Sequence, residues 1–201
     1  MSMFCFQCQE TAKNHGCTVV GVCGKKEPVA NLQDLLIFVS KGISILAALG
    51  RKNNLITEKA DRFVFEALFT TITNANFDQN RILEKVREGF KVRDFVRNEL
   101  LENNVDIPDD LPGNVSWYAE KDEELLKKAL QVGVLSIEDE NIRSLKELLT
   151  YGLKGVSAYA EHAYNLGYKD DKVFAFLHKG LAATTDPSLD VNELVELVLK
   201  C

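Results

Sequence analysis

The chain is short of the residues that mark most other classes. It has only four prolines and 12 glycines in 201 residues, which excludes collagen-like and low-complexity architectures. No run of about 18 consecutive apolar residues occurs, so no span is expected to cross a membrane and no membrane partner is expected. The opening MSMFCFQCQE has no basic stretch followed by an apolar one and is not a signal peptide, so a cytoplasmic protein is expected. Positive charge is scarce: 24 Lys and Arg stand against 30 Asp and Glu, for a net −6. That argues against nucleic acid as a partner, which calls for a basic stripe. No phosphate-binding loop, dinucleotide fingerprint or Ser–His–Asp order is present. Strand alternation is also lacking; the one short candidate is Thr18–Val22.

What remains is an ordinary globular mixture, 46% hydrophobic and 27% charged, long enough to bury a core without disulfides. From residue 31 onward it reads as helix after helix. Asn31 is the expected cap of a first helix carrying Leu32, Leu35, Leu36, Val39, Ile43 and Leu46, up to Gly50. Thr57 caps a second, with Ala60, Phe63, Val64, Ala67, Leu68 and Ile72; Asp78 caps a third, with Ile82, Val86, Phe90, Val96 and Leu100. Residues 103–116, rich in Asn, Asp, Pro and Gly, read as a linker.

A helix from Trp117 to Gln131 follows, packed through Leu125, Leu126, Ala129 and Leu130. A long helix with Ile142, Leu145, Leu149, Val156, Tyr159 and Ala163 comes next, opened by Ser136 with Asp139 and ending near Gly167. Asp170 and Asp190 open two more. The expectation is an all-α fold of two three-helix-type bundles, residues 29–102 and 117–201, behind a cysteine-rich loop at residues 1–28 closed by Pro28. The last helix is still periodic at Cys201, so the sequence is expected to be a piece of a longer protein.

Four of the five cysteines lie within 19 residues, spaced Cys5-x2-Cys8-x8-Cys17-x5-Cys23. Without an oxidising compartment, such clustering points to a metal centre rather than disulfides. Structural zinc takes four cysteines but favours two short pairs, and the x5 spacing is loose for it. An iron–sulfur cluster accepts uneven spacings, and the neighbouring glycines leave backbone N–H groups free to bond to sulfur. Three readings stand at this level: an electron-transfer domain, a zinc-stapled helical interaction module without redox function, or a metal-free helical bundle.

The loop holds Lys13, Lys25 and Lys26 against Glu10 and Glu27, so it is slightly positive; Lys25 and Lys26 are expected to be solvated. His15 is expected to be an exposed loop histidine, and Glu161 with His162 a helix surface or interdomain contact. His178 is expected to be packed rather than liganding, the 11 phenylalanines core, and Cys201 an ordinary thiol. Asn114-Val115-Ser116 matches a glycosylation sequon with no secretory context to use it.

FCFQCQET, GC, GVCGK and NLQDLL together closely resemble the amino terminus of the hybrid-cluster proteins, or hydroxylamine reductases; YAEHA and TTDPSLDVNELVELVLK resemble the same family. The resemblance covers essentially the whole chain. It implies a helical first domain of two three-helix bundles, with a cubane held by Cys5, Cys8, Cys17 and Cys23. The shorter cysteine spacing is similar to that of strict anaerobes, whose members carry [4Fe–4S]; wider spacing goes with [2Fe–2S]. The family reduces N–O species, hydroxylamine to ammonia or nitric oxide to nitrous oxide, at a hybrid iron–sulfur–oxygen cluster whose ligands lie in later domains. A redox donor, ferredoxin-like or a reductase, is the implied partner, as are the remaining domains of the same protein. Surfaces meant for those domains are expected to favour a homo-oligomer when uncovered.

Overall fold

The computed structural model describes residues 2–72 and 76–201. Among them, seven α-helices follow in order: α1 (Glu27–Lys52), α2 (Glu58–Thr70), α3 (Gln79–Glu102), α4 (Asp122–Ala129), α5 (Glu140–Asn165), α6 (Asp171–Ala183) and α7 (Val191–Lys200). The fold is all-α. The one strand-like pairing among the described residues is an isolated antiparallel bridge between Cys5 and Cys17. Thr18–Val22 is a bent loop, not a strand.

Three helices, α1 to α3, pack on one another; α5 packs on α6 and α7. The two groups are joined by α1 against α6 and α2 against α5, with α4 laid on α1. One continuous apolar core therefore crosses both groups. Leu32, Leu35, Leu36, Val39, Ile43 and Leu46, the predicted stripe of the first helix, are all fully buried. Among the described residues, α1 is also the one helix long and apolar enough to cross a membrane, and its neighbours bury 67% of that stretch. At Gly42 the carbonyl of Asn114 comes so close that a Cβ would collide with it. Asn114 is itself buried, which closes the sequon.

Several boundaries differ from the sequence expectation. α1 begins at Glu27, not after Asn31, because Pro28 fits the first turn, where no backbone N–H is needed. Asn31 lies buried inside the helix and its Nδ2 donates to Ser2 O at 3.1 Å. The helix expected from Trp117 is only Asp122–Ala129: Arg93 Nη1 donates to Trp117 O at 2.6 Å and holds it outside the helix. The Trp117 ring instead meets Phe38 and Phe90 edge-on. Asp139, not Ser136, caps α5, accepting from Ile142 N at 2.9 Å. Asp78, Asp170 and Asp190 cap as expected, the last in a full capping box with Glu193; Thr57 occupies its cap without a side-chain bond.

Tyr159 and Leu130, expected inside, are 80% and 63% exposed. Not all phenylalanines are core either. Phe77 and Phe95 reach the surface beneath the ammonium groups of Lys25 and Lys59, at 5.7 and 4.4 Å from the ring centroids.

A buried polar chain ties the two groups together. His178 of α6 is fully buried; its Nδ1 meets Ser44 Oγ at 3.0 Å and its Nε2 meets Asp61 Oδ1 at 2.8 Å. Arg51 Nη2 reaches both Asp61 oxygens, at 2.7 and 2.6 Å. Burial pushes the Asp61 carboxyl up, but the bonds from His178 and Arg51 outweigh it and hold the group below the usual carboxylate range. Asp61→Ala leaves Arg51 and His178 without their anion and is expected to cost about 3–5 kcal/mol in urea unfolding near neutral pH. Because the native pKa is lowered, the Asp61 contribution is present above the ordinary aspartate value and lost as pH falls through the native one. The gap between wild type and variant should therefore narrow on acidification; a gap that widens would refute this assignment.

Candidate metal centre

The cysteine loop folds back on itself before α1. Cys5 N donates to Cys17 O at 3.1 Å and Cys17 N to Cys5 O at 2.8 Å, so these two cysteines face each other across the isolated bridge. Thr11 Oγ1 donates to Cys5 O at 3.0 Å and stands 3.9 Å from Cys17 Sγ. Cys8 sits at the turn between them, its carbonyl accepting from Thr11 N at 3.1 Å. Cys23 lies on a second turn closed by Gly21 N to Lys25 O and Gly24 N to Gly21 O, both 2.8 Å, with Gly24 at a left-handed φ of 88°. A Cβ on Gly21 would stand 3.0 Å from Cys23 Sγ, so the glycine lets the sulfur fold over the backbone. Met3, Cys17 and Ala30 form a small apolar cluster that seats the loop on α1. Cys17 is buried, Cys5 and Cys8 half-buried and Cys23 exposed, and all are free thiols.

The surroundings favour a charged sulfur. Burial raises the Cys17 thiol, but the N–H groups of Ala12 and Val22, the Thr11 hydroxyl and the Lys25 charge together bring it below its ordinary value. Lys25 is not solvated as expected. It is 1% exposed, and its Nζ donates to Gln33 Oε1 at 2.7 Å. Behind it, Cys5, Phe6, Lys25, Asp34, Glu147 and Lys154 are among the residues lining a cavity of about 20 Å³ between the loop, α1 and α5. Burial pushes the Asp34 carboxyl up to about 7 and the Lys154 ammonium down to about 8, each against the pull of the other. Neither residue stands out in the sequence, because α1 and α5 meet only in the fold.

The loop thus brings Cys5 and Cys17 side by side, with Cys8 and Cys23 on the turns that flank them. Among the described residues, no three His, Cys, Asp or Glu side chains gather closely enough to hold one metal ion. Thiolates on a single zinc lie within about 4.6 Å of each other, twice the Zn–S distance. A cluster with its own sulfides is wider. The donor set itself, four free thiols on one loop with N–H groups directed at sulfur, fits a thiolate-ligated cluster.

The other candidates stay apart from this loop. His15 is exposed. Glu161 Oε1 accepts from Asn165 Nδ2 at 3.0 Å, and His162 meets Phe69 edge-on, so this pair belongs to the helix surface. His178 is the packed core histidine described above. Cys201 is exposed, against Gly152.

Comparison with known proteins agrees on one family. The profile described as Prismane/CO dehydrogenase family matches residues 3–201. Among curated relatives, a hydroxylamine reductase of Desulfitobacterium hafniense (strain DSM 10664 / DCB-2) is 54% identical over 200 residues, 100% of this chain and 36% of that protein. Hydroxylamine reductases of Natranaerobius thermophilus and Halothermothrix orenii are 50% and 51% identical over 206 residues, 100% of this chain and 37% of each. The chain therefore spans little more than a third of the length of these relatives.

The free thiols give a direct check. Protein unfolded anaerobically with a chelator and no reductant should take up five alkyl groups per chain, read by mass spectrometry. Uptake of three or one would mean disulfides and remove the thiolate loop.

Proposed function

The chain belongs to the Prismane/CO dehydrogenase family, and on that premise we propose that it is the amino-terminal electron-transfer region of a hydroxylamine-reductase-type oxidoreductase. The observation that carries the reading is the loop of four free thiols, folded against α1 with backbone and hydroxyl donors aimed at sulfur. Cys5, Cys8, Cys17 and Cys23 would hold a [4Fe–4S] cluster, which when bound accepts and passes on single electrons. The chain's own residues do the rest. The Cys5–Cys17 bridge fixes two sulfurs, Thr11 braces the carbonyl between them, and Gly21 with Gly24 shapes the turn that carries Cys23. Met3 and Ala30 shield the buried side at Cys17, while Cys23 stays at the surface.

An exposed edge suits electron entry from a small redox protein, ferredoxin-like or a reductase, in the cytoplasm. Reduction of hydroxylamine to ammonia, or of nitric oxide to nitrous oxide, would take place at a hybrid iron–sulfur–oxygen cluster in the regions that the relatives have beyond the aligned third. On this reading those regions are the other partner of this chain, and without them the 201 residues do not turn over substrate.

Iron, zinc and acid-labile sulfide, measured with an absorption spectrum on anaerobically prepared protein, test the proposal. About four irons and four sulfides per chain are expected, with a brown colour bleached by dithionite. One zinc without sulfide would replace the proposal with the stapled module. Cys8→Ser should lose the colour while keeping the helical circular dichroism, because the core from α1 onward packs without the loop; unchanged iron in that variant would remove Cys8 from the ligand set.

A further inference from the structure

Among the described residues, Lys25 is one of the largest side chains that the fold buries completely. Among the described residues no carboxylate oxygen lies within 4.0 Å of its Nζ. Its one hydrogen bond among the described residues goes to Gln33 Oε1, and Gln33 is fixed in that orientation because its Nε2 donates to Asn76 O at 3.0 Å. Phe77 adds a ring face at 5.7 Å. These are neutral partners, and a buried ammonium with only neutral partners is costly unless negative charge stands near. The acids in the cavity behind it, Asp34 and Glu147, are shared: Lys154 and Lys41 act on both carboxylates, and the Lys25 charge reaches Asp34 as well. Sulfur stands around Lys25 too: its charge is among those that lower the Cys17 thiol. Cys5 lines the same cavity. Cys23 Sγ and Lys25 Cβ flank one face of Gly21, 3.0 and 3.1 Å from the Cβ that it lacks.

We infer that Lys25 is the internal counter-cation of the cysteine loop, a fixed positive charge that offsets the thiolates and the centre they hold and raises its affinity for an electron. This rests on the iron–sulfur reading above. One-electron reduction, with dithionite as donor, adds one negative charge to the centre and makes or breaks no bond. A fixed cation in a poorly solvated site stabilises that added charge more than it would in water. Lys25 acts here as a positioning charge and not as a ligand.

The test is a redox titration of the full chain, cluster bound, for wild type, Lys25→Met, Lys25→Gln and Lys25→Arg, with iron loss to a chelator followed in parallel. The two neutral variants should have an equilibrium constant for reduction lowered by about tenfold or more, 59 mV for a one-electron couple, and should lose iron faster. Lys25→Arg should restore most of both. An equilibrium constant for reduction within about twofold of wild type in the neutral variants overturns the inference. So does failure of Lys25→Arg to restore it, and so does loss of helices in the neutral variants without cluster, which would make Lys25 a packing residue. Absence of iron and sulfide from the wild type would instead refute the parent reading, a distinct result.

Discussion

Nearly everything in this protein is measured from α1. It is packed by α2, α3, α4 and α6, and its Gly42 admits the backbone of Asn114 at a distance no other residue would allow. Its first turns also position the cysteine loop: Ala30 meets Cys17 in one small apolar cluster, Asn31 holds Ser2, and Gln33 holds Lys25. A shift of this helix along its axis would misplace the loop and open the core together. The centre takes its position from the scaffold, although the two look like separate segments along the chain.

The helical part was legible in the sequence because its determinants are local. A stripe such as Leu32, Leu36, Val39, Ile43 and Leu46 needs only a 3.6-residue period to be seen, and all of it is buried. Caps at Asp78, Asp170 and Asp190 were equally plain, since an aspartate reaches its own following amides. Helix ends set by a distant group were not. Trp117 stays outside α4 because Arg93 holds its carbonyl. Tyr159 has helical spacing, but no neighbour covers it. One local signal was overlooked. Asn54 and Asn104 adopt left-handed φ, and the residue after each donates back to Gly50 O and Leu100 O at 2.9 Å. Asn-Asn followed by an apolar residue thus ends both α1 and α3, as Gly167 ends α5.

The candidate centre was readable as a set of donors and unreadable as an environment. Cysteine spacing names four sulfurs, but only the fold shows that Cys17 is buried and Cys23 exposed. Two adjacent lysines look alike in the sequence; the turn at Gly21 and Gly24 sends Lys25 inward while Lys26 stays out. The charges of Asp34, Glu147 and Lys154 meet only because α5 lies beside α1 across the cavity.

The chain from Ser44 through His178 and Asp61 to Arg51 contains the side chains of a hydrolytic triad, sealed from solvent. Asp61 binds His178 at Nε2, the nitrogen that would face a nucleophile in such an enzyme. Its effect is on cooperativity. Because the chain passes from α1 and α2 to α6, melting the α5–α7 group takes the imidazole away from Ser44 and Asp61, and melting the α1–α3 group leaves His178 without either partner. Partly opened forms are thereby penalised, and the molecule is built to come apart in a single transition rather than bundle by bundle.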